Sequence, residues 1–405
     1  MKRILAVILC ASMMLACFSG CSTVKAQDLM TGISANQTSN DSSVGDYSAI
    51  TDFSLRLFRN CKEGNSVMSP LSVLYALAMT ANGADGNTLT QMEEVFGTDV
   101  GSLNIMLKSC SHALGEELKC ADSIWYNNAS VFTPEQNFLQ TNADYFGAGL
   151  FSLPFDENTR KSINKWVEEN TDGIIKDMLD TIPTDAVMYL INALCFDAKW
   201  AEVYTNAQVS YGIFNSESGA KQNVQYMHSD EHHYIDAENA QGFMKYYEGG
   251  RYAFLALLPD EGVSVNDCIS SLTAENLRSY ISDSVDGVTV NAAIPKFESD
   301  FSLELSDVLK AMGMTDAFDS DLADFSPMGS CEEGRLCIGR VLHKAHIEVT
   351  VQGTRAAAAT AVEMKCESAM PGEVISIELN RPFVYMIVDV SSGIPVFMGS
   401  CTSIG

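Results

Sequence analysis

The sequence predicts an α+β fold, and three observations predict it. Helical periodicity clusters in the early part of the chain. Apolar runs rich in β-branched and aromatic residues fill the later part, without the regular alternation of a βαβ series. After residue 47 no polar linker or internal repeat interrupts the chain, so residues 48–405 read as one large domain. With 46% hydrophobic and 19% charged residues the chain can bury a sizeable core. The formal charge of −27 argues against nucleic acid and anionic membrane surfaces as partners.

The first element is a leader. "MKR" supplies positive charge and "ILAVILCASMMLA" an apolar stretch of signal-peptide length. "FSGC" then resembles a bacterial lipobox, which makes residues 1–20 a lipoprotein-type signal and Cys21 the lipidated residue. Cys17 after "MLA" and a plain secretory cut are the alternatives. The expected location is extracellular or at the cell surface, with membrane attachment through Cys21. Residues 21–47, polar and rich in Ser, Thr, Asn and Gly, read as a flexible tether. The 12 cysteines are scattered and do not resemble a disulfide framework, although Cys331 and Cys337 are spaced to close a short loop.

Helices come next. In "NSVMSPLSVLYALAMTANGADG" Ser69 precedes Pro70, the order of an N-cap and first helical residue, and the helix is apolar nearly all round. In "NTLTQMEEVFG" Thr88 and Gln91 have capping-box spacing and Gly97 marks the stop. "RKSINKWVEENTDGII" places Ile163, Trp166 and Val167 on one side of a helix. Strands follow in "MYLINALCFDAKW", "YAFLALLPD", "VTVNAAIPKF" and the hairpin "RPFVYMIVDVSSGIPVFMGSC". "VLHKAHIEVTV" alternates, with His343, Ala345, Ile347, Val349 and Val351 on one face, so a histidine sits on the apolar side.

No catalytic motif for hydrolysis, metal-assisted proteolysis or phosphate binding occurs. "MHSDEHH" gathers His228, Asp230, Glu231, His232 and His233, but the spacing matches no known ligand set and a solvated loop is expected. No metal or other cofactor is called for, and no nucleophile–base pair can be assembled for a hydrolase.

The remaining oddity is "GTRAAAATA", residues 353–361, directly after a clean strand. Alanine is a strong helix former, yet a helix here has no apolar stripe to bury. Together with "NSVMSPLSVLYALAMTANGADGNTLTQM", "INKWVEENTDGIIKDML", "LINALCFDAKW", "IPKF", "VLHKAHIEV" and "RPFVYMIV…VFMG", in that order, it makes residues 48–405 resemble the serpin family. The resemblance implies three β-sheets, about nine surrounding helices and an exposed reactive loop at about 353–375. It also implies a monomer that traps serine proteases as acyl-enzymes while the cut loop inserts into the central sheet. A non-inhibitory member of the same fold is the alternative.

The resemblance assigns roles residue by residue. Gly353, Thr354, Arg355, Ala356, Ala357, Ala358, Ala359 and Thr360 form the hinge, where small side chains slide between strands. Ser69, Ser72, Asn192 and His343 form a polar network where the strands part, and Trp200 stands at the top of the sheet. Asn164 and Trp166 belong to a helix motif. Counting from Gly353 places the scissile bond at Glu367–Ser368, suited to a glutamyl-specific protease. Other registers offer Lys365, Cys366, Ala369 or Met370, the small and medium ones suited to elastase-like pockets. Val351, Gln352 and Arg355 depart from the family's usual acidic residues, and Val351 is expected to remove a salt bridge at the loop base.

Overall fold

The computed structural model describes residues 26–36, 46–61, 64–113, 115, 117–128, 132–147, 149–182, 188–283, 285, 287–332, 335–354 and 373–404. Cys21, Arg355 to Thr360, Glu367 and Ser368 therefore lie outside the described residues.

The helix Pro70–Ala81 is buried along its whole length, as its uniformly apolar surface requires. Ser69 caps it, its hydroxyl accepting from the Ser72 N–H at 3.2 Å, with Pro70 at the first helical position. It lies beneath an eight-stranded sheet. In that sheet Gly149–Leu153 runs parallel to Leu118–Asn127, which is antiparallel to Met188–Phe196. Met188–Phe196 runs parallel to Arg340–Val349, and Phe297–Glu304 closes the far edge. A six-stranded antiparallel sheet and a four-stranded sheet complete the expected three, joined by a two-stranded ladder between Phe132–Pro134 and Gly329–Cys331. Nine α-helices are present among the described residues.

The central sheet separates two apolar clusters. Met188, Leu190, Leu194 and Phe196 point into the main core with Val341, Ala345, Ile347 and Val349. Tyr189, Ile191, Ala193 and Leu342 point to the other face, where Ile163 and Val167 of the helix Glu157–Asn170 cover them. Two faces covered in this way suit the near-continuous apolar run of Met188–Phe196. Asn164 ties the helix end to the chain beyond it, donating to Leu179 O at 3.0 Å and accepting from Leu179 N at 2.8 Å.

Four expectations are corrected. Part of the supposed flexible tether is docked: Gln27–Asp28 pairs with Phe151 and Ser152 at the sheet edge. Leu29, Met30 and Ile33 pack on the core, and Asp144 accepts from both nitrogens of Asn36. The cap of Gly86–Phe96 is Asp85, while Thr88 accepts from Asp324 N and Gln91 from Thr315 N and Asp316 N. "MHSDEHH" is largely strand, because Met227 fills the core and Glu231 meets Lys245 at 2.8 Å in a buried ion pair. Cys331 and Cys337 are both free thiols.

Candidate functional site: the opening of the central sheet

The parallel strands Met188–Phe196 and Arg340–Val349 are in register from Tyr189/Arg340 to Leu194/Ala345, and their pairing ends there. Above that point the chain turns back on itself. Gly353 and Thr354 pair antiparallel with Lys199 and Ala198 on one side, and Thr354 with Val349 on the other. Gly353 and Thr354 thus occupy the top of the space between the two strands. Thr354 is fully buried, with its hydroxyl 2.6 Å from that of Tyr247. Gly353 has φ +156, and a Cβ there would meet Ala198 O at 2.0 Å, so no side chain fits this close backbone approach.

The loop base is held by main-chain carbonyls. Tyr204 N donates to Val351 O and Trp200 N to Gln352 O, both at 3.0 Å. Trp200 Nε1 donates to Thr350 O at 2.9 Å. The Trp200 indole stacks on Tyr247 with ring centroids 4.5 Å apart, and the buried Lys245 ammonium lies over the Tyr204 ring at 4.6 Å. Val351, which lacks a carboxylate, thus keeps the loop base latched through its carbonyl. Lys296, just before the strand facing Val349, donates to the neutral Gln225 side chain. Tyr247→Phe deletes the hydroxyl that is hydrogen-bonded to that of Thr354. The variant is expected to lose about 1 kcal/mol of stability, read from its urea midpoint at unchanged slope.

Lower in the sheet the four network residues come together. His343 Nε2 accepts from Ser69 N at 3.1 Å, so its Nδ1 carries the proton and donates to Asn192 Oδ1 at 2.6 Å. Asn192 Nδ2 donates to Ser72 Oγ and to Asp122 Oδ1. His343 is fully buried, and burial pushes its pKa down to about 3, so the ring is neutral. His343 and Asn192 are direct neighbours across the parallel pair. The network bridges the parallel strands Met188–Phe196 and Arg340–Val349 just below the point where their pairing ends. Asp122 and Tyr247 were not foreseen. Asp122 interrupts the strand Leu118–Asn127 with a charge, a signal available in the sequence, whereas Tyr247 carries none.

The central sheet thus splits at one end, and the chain that follows begins inside the split at Gly353 and Thr354. The family model described as Serpin (serine protease inhibitor) matches residues 48–404, and the chain belongs to that family. The human leukocyte elastase inhibitor is 29% identical over 379 residues, covering 88% of this chain and 98% of the relative. Serpin B10 of Bos taurus is 31% identical, covering 83% and 92%. Among solved structures, the thermophilic serpin tengpin in its native state matches with a TM-score of 0.89 at 41% identity, over 94% of this chain and all of that one. The same protein in its latent state scores 0.77. The family is one of serine protease inhibitors, not of enzymes.

Proposed function

We propose that this protein inhibits a serine protease as a suicide substrate. The protease attacks the loop at Glu367–Ser368 and forms an acyl-enzyme. The loop then continues the strand begun at Gly353–Thr354 and carries the protease with it. The observation that carries this reading is the antiparallel pairing of Gly353 and Thr354 with both flanking strands. Insertion prolongs a ladder that has already started, adding backbone hydrogen bonds on both sides. The uninserted form is then metastable, held by the cost of separating the pairs from Leu194/Ala345 downward. The target class follows from the side chain before the cut: Glu367 suits a basic primary pocket, and the neighbouring Ala369 and Met370 suit an elastase-like one.

Incubation with glutamyl endopeptidase, elastase, chymotrypsin and trypsin tests the reading on denaturing gels. The expected result is a band at the summed mass with one of the first two, and a released C-terminal peptide beginning at Ser368. Cleavage by all four without such a band would favour the non-inhibitory reading.

A further inference from the structure

The two strands at the far edge of the central sheet bring together side chains that the sequence keeps apart. We propose that Glu298, Asp300 and His346, with Glu348 beside them, form a binding site for a zinc ion on the outward face of that edge. Zinc binding here involves no part of the loop.

Phe297–Glu304 and Arg340–Val349 run antiparallel, with Asp300 directly across from His346 and Glu298 directly across from Glu348. Side chains two apart on a strand share a face, so these four form one block on the pair. Ala345, Ile347 and Val349 of the same strand are buried in the main core, which turns His346 and Glu348 away from it. One ligand atom from each of Glu298, Asp300 and His346 lies within 4.8 Å of the other two. His346 Nδ1 is already 2.9 Å from Asp300 Oδ1. Zinc bonds of about 2.0–2.2 Å place tetrahedral ligand atoms about 3.3–3.6 Å apart. Glu298 and Asp300 are exposed, so small rotations of their side chains close the difference. Glu348 is the neighbouring carboxylate for the fourth position.

Carboxylates alone are common on an acidic surface. What distinguishes this face is the imidazole among them, its side chain 16% exposed against 68% for Asp300. An imidazole nitrogen suits zinc, whereas calcium and magnesium take oxygen ligands. The pair of strands also carries a cost here, because Glu298 and Glu348 are like charges directly opposite one another. Among the described residues neither makes an ion pair. The two lysines nearby on these strands are engaged elsewhere. Lys344 Nζ donates to Lys176 O and Lys296 Nζ to Gln225 Oε1, both at 2.9 Å. A divalent cation offsets the repulsion and cross-links the two strands. Asp300 and His346 are 46 residues apart in the chain, so the site has no local sequence signature. It lies on the side of Arg340–Val349 away from Met188–Phe196 and leaves that parallel pairing untouched.

Titration calorimetry of the full chain with zinc chloride tests the site. Wild type is compared with His346→Gln, Glu298→Gln and a control in which His228 and His232, exposed on another sheet, are both changed to Gln. The expected result is one zinc per chain for wild type and for the control. Binding should weaken at least about tenfold in His346→Gln and in Glu298→Gln, the lower bound for losing even an outer partner of a metal. Zinc should also shift the imidazole NMR signals that His346→Gln removes and leave those of His228 and His232 in place. Metal-free urea midpoints close to wild type show that the variants are folded. Should His346→Gln fail to fold, Glu298→Gln, at an exposed position, carries the test. No binding to wild type, or binding that a folded site variant fully retains, would overturn the site. So would calcium displacing zinc at equal concentration, since the carboxylates would then act without the imidazole.

Discussion

An Ala358→Glu chain is expected to be cut by its target protease without trapping it. An inserted strand that continued the ladders of Thr354 would bring residue 358 between Ala345 and Leu194, which are 0% and 3% exposed and belong to the main core. Among the described residues that line this part of the core no cation stands ready to pair with a carboxylate. Burying it unpaired costs several kcal/mol even after relaxation. Each 1.36 kcal/mol added to the insertion barrier slows insertion about tenfold. Hydrolysis of the acyl-enzyme then overtakes the strand, and the protease leaves intact. On denaturing gels the covalent fraction should drop at least about tenfold, with a matching gain of cleaved free chain. Ala358→Ser, nearly as small, should trap as wild type does. Equal trapping by the Glu variant would mean that residue 358 never enters the sheet.

Acid should loosen the closed sheet through His343. Its native pKa, pushed down to about 3, lies below the ordinary histidine value of 6.5. Between these two values the unfolded chain binds a proton that the native ring refuses, so stability rises with pH there and falls as the pH drops. The contribution is complete above about 6.5. Below that, stability is lost at about 1.4 kcal/mol per pH unit until the native ring itself titrates near 3. Protonation puts a hydrogen on Nε2, where the Ser69 N–H now donates, and removes the acceptor. In His343→Phe this share of the slope should vanish. The variant should also lose about 3 kcal/mol or more at neutral pH, because Ser69 N and Asn192 Oδ1 are left without partners. Urea midpoints from pH 7 to 4 measure both effects, and an unchanged slope in the variant would remove His343 as the titrating group.

Local signals proved reliable where the residues involved are close in sequence. Ser69 before Pro70 caps its helix, and the alternation around His343 places Ala345, Ile347 and Val349 in the core. They misled where a distant partner competed. Thr88 and Gln91 have the spacing of a capping box but accept from Asp324, Thr315 and Asp316, more than two hundred residues away. The polar run from His228 looks like a loop until Lys245 supplies the buried partner of Glu231. Residues 26–36 belong to a stretch rich in Ser, Thr, Asn and Gly, yet Leu29, Met30 and Ile33 suffice to dock them once a sheet edge is available.

The sequence by itself determined the α+β class and the family, because these depend on periodicity and motif order along the chain. It also marked His343 as a polar group on an apolar face. Only the tertiary structure decided what that histidine bonds and where the strand pairing stops. Those are matters of register between strands about 150 residues apart. Register is set by how whole sheets and covering helices pack, a balance to which each local segment contributes only in part.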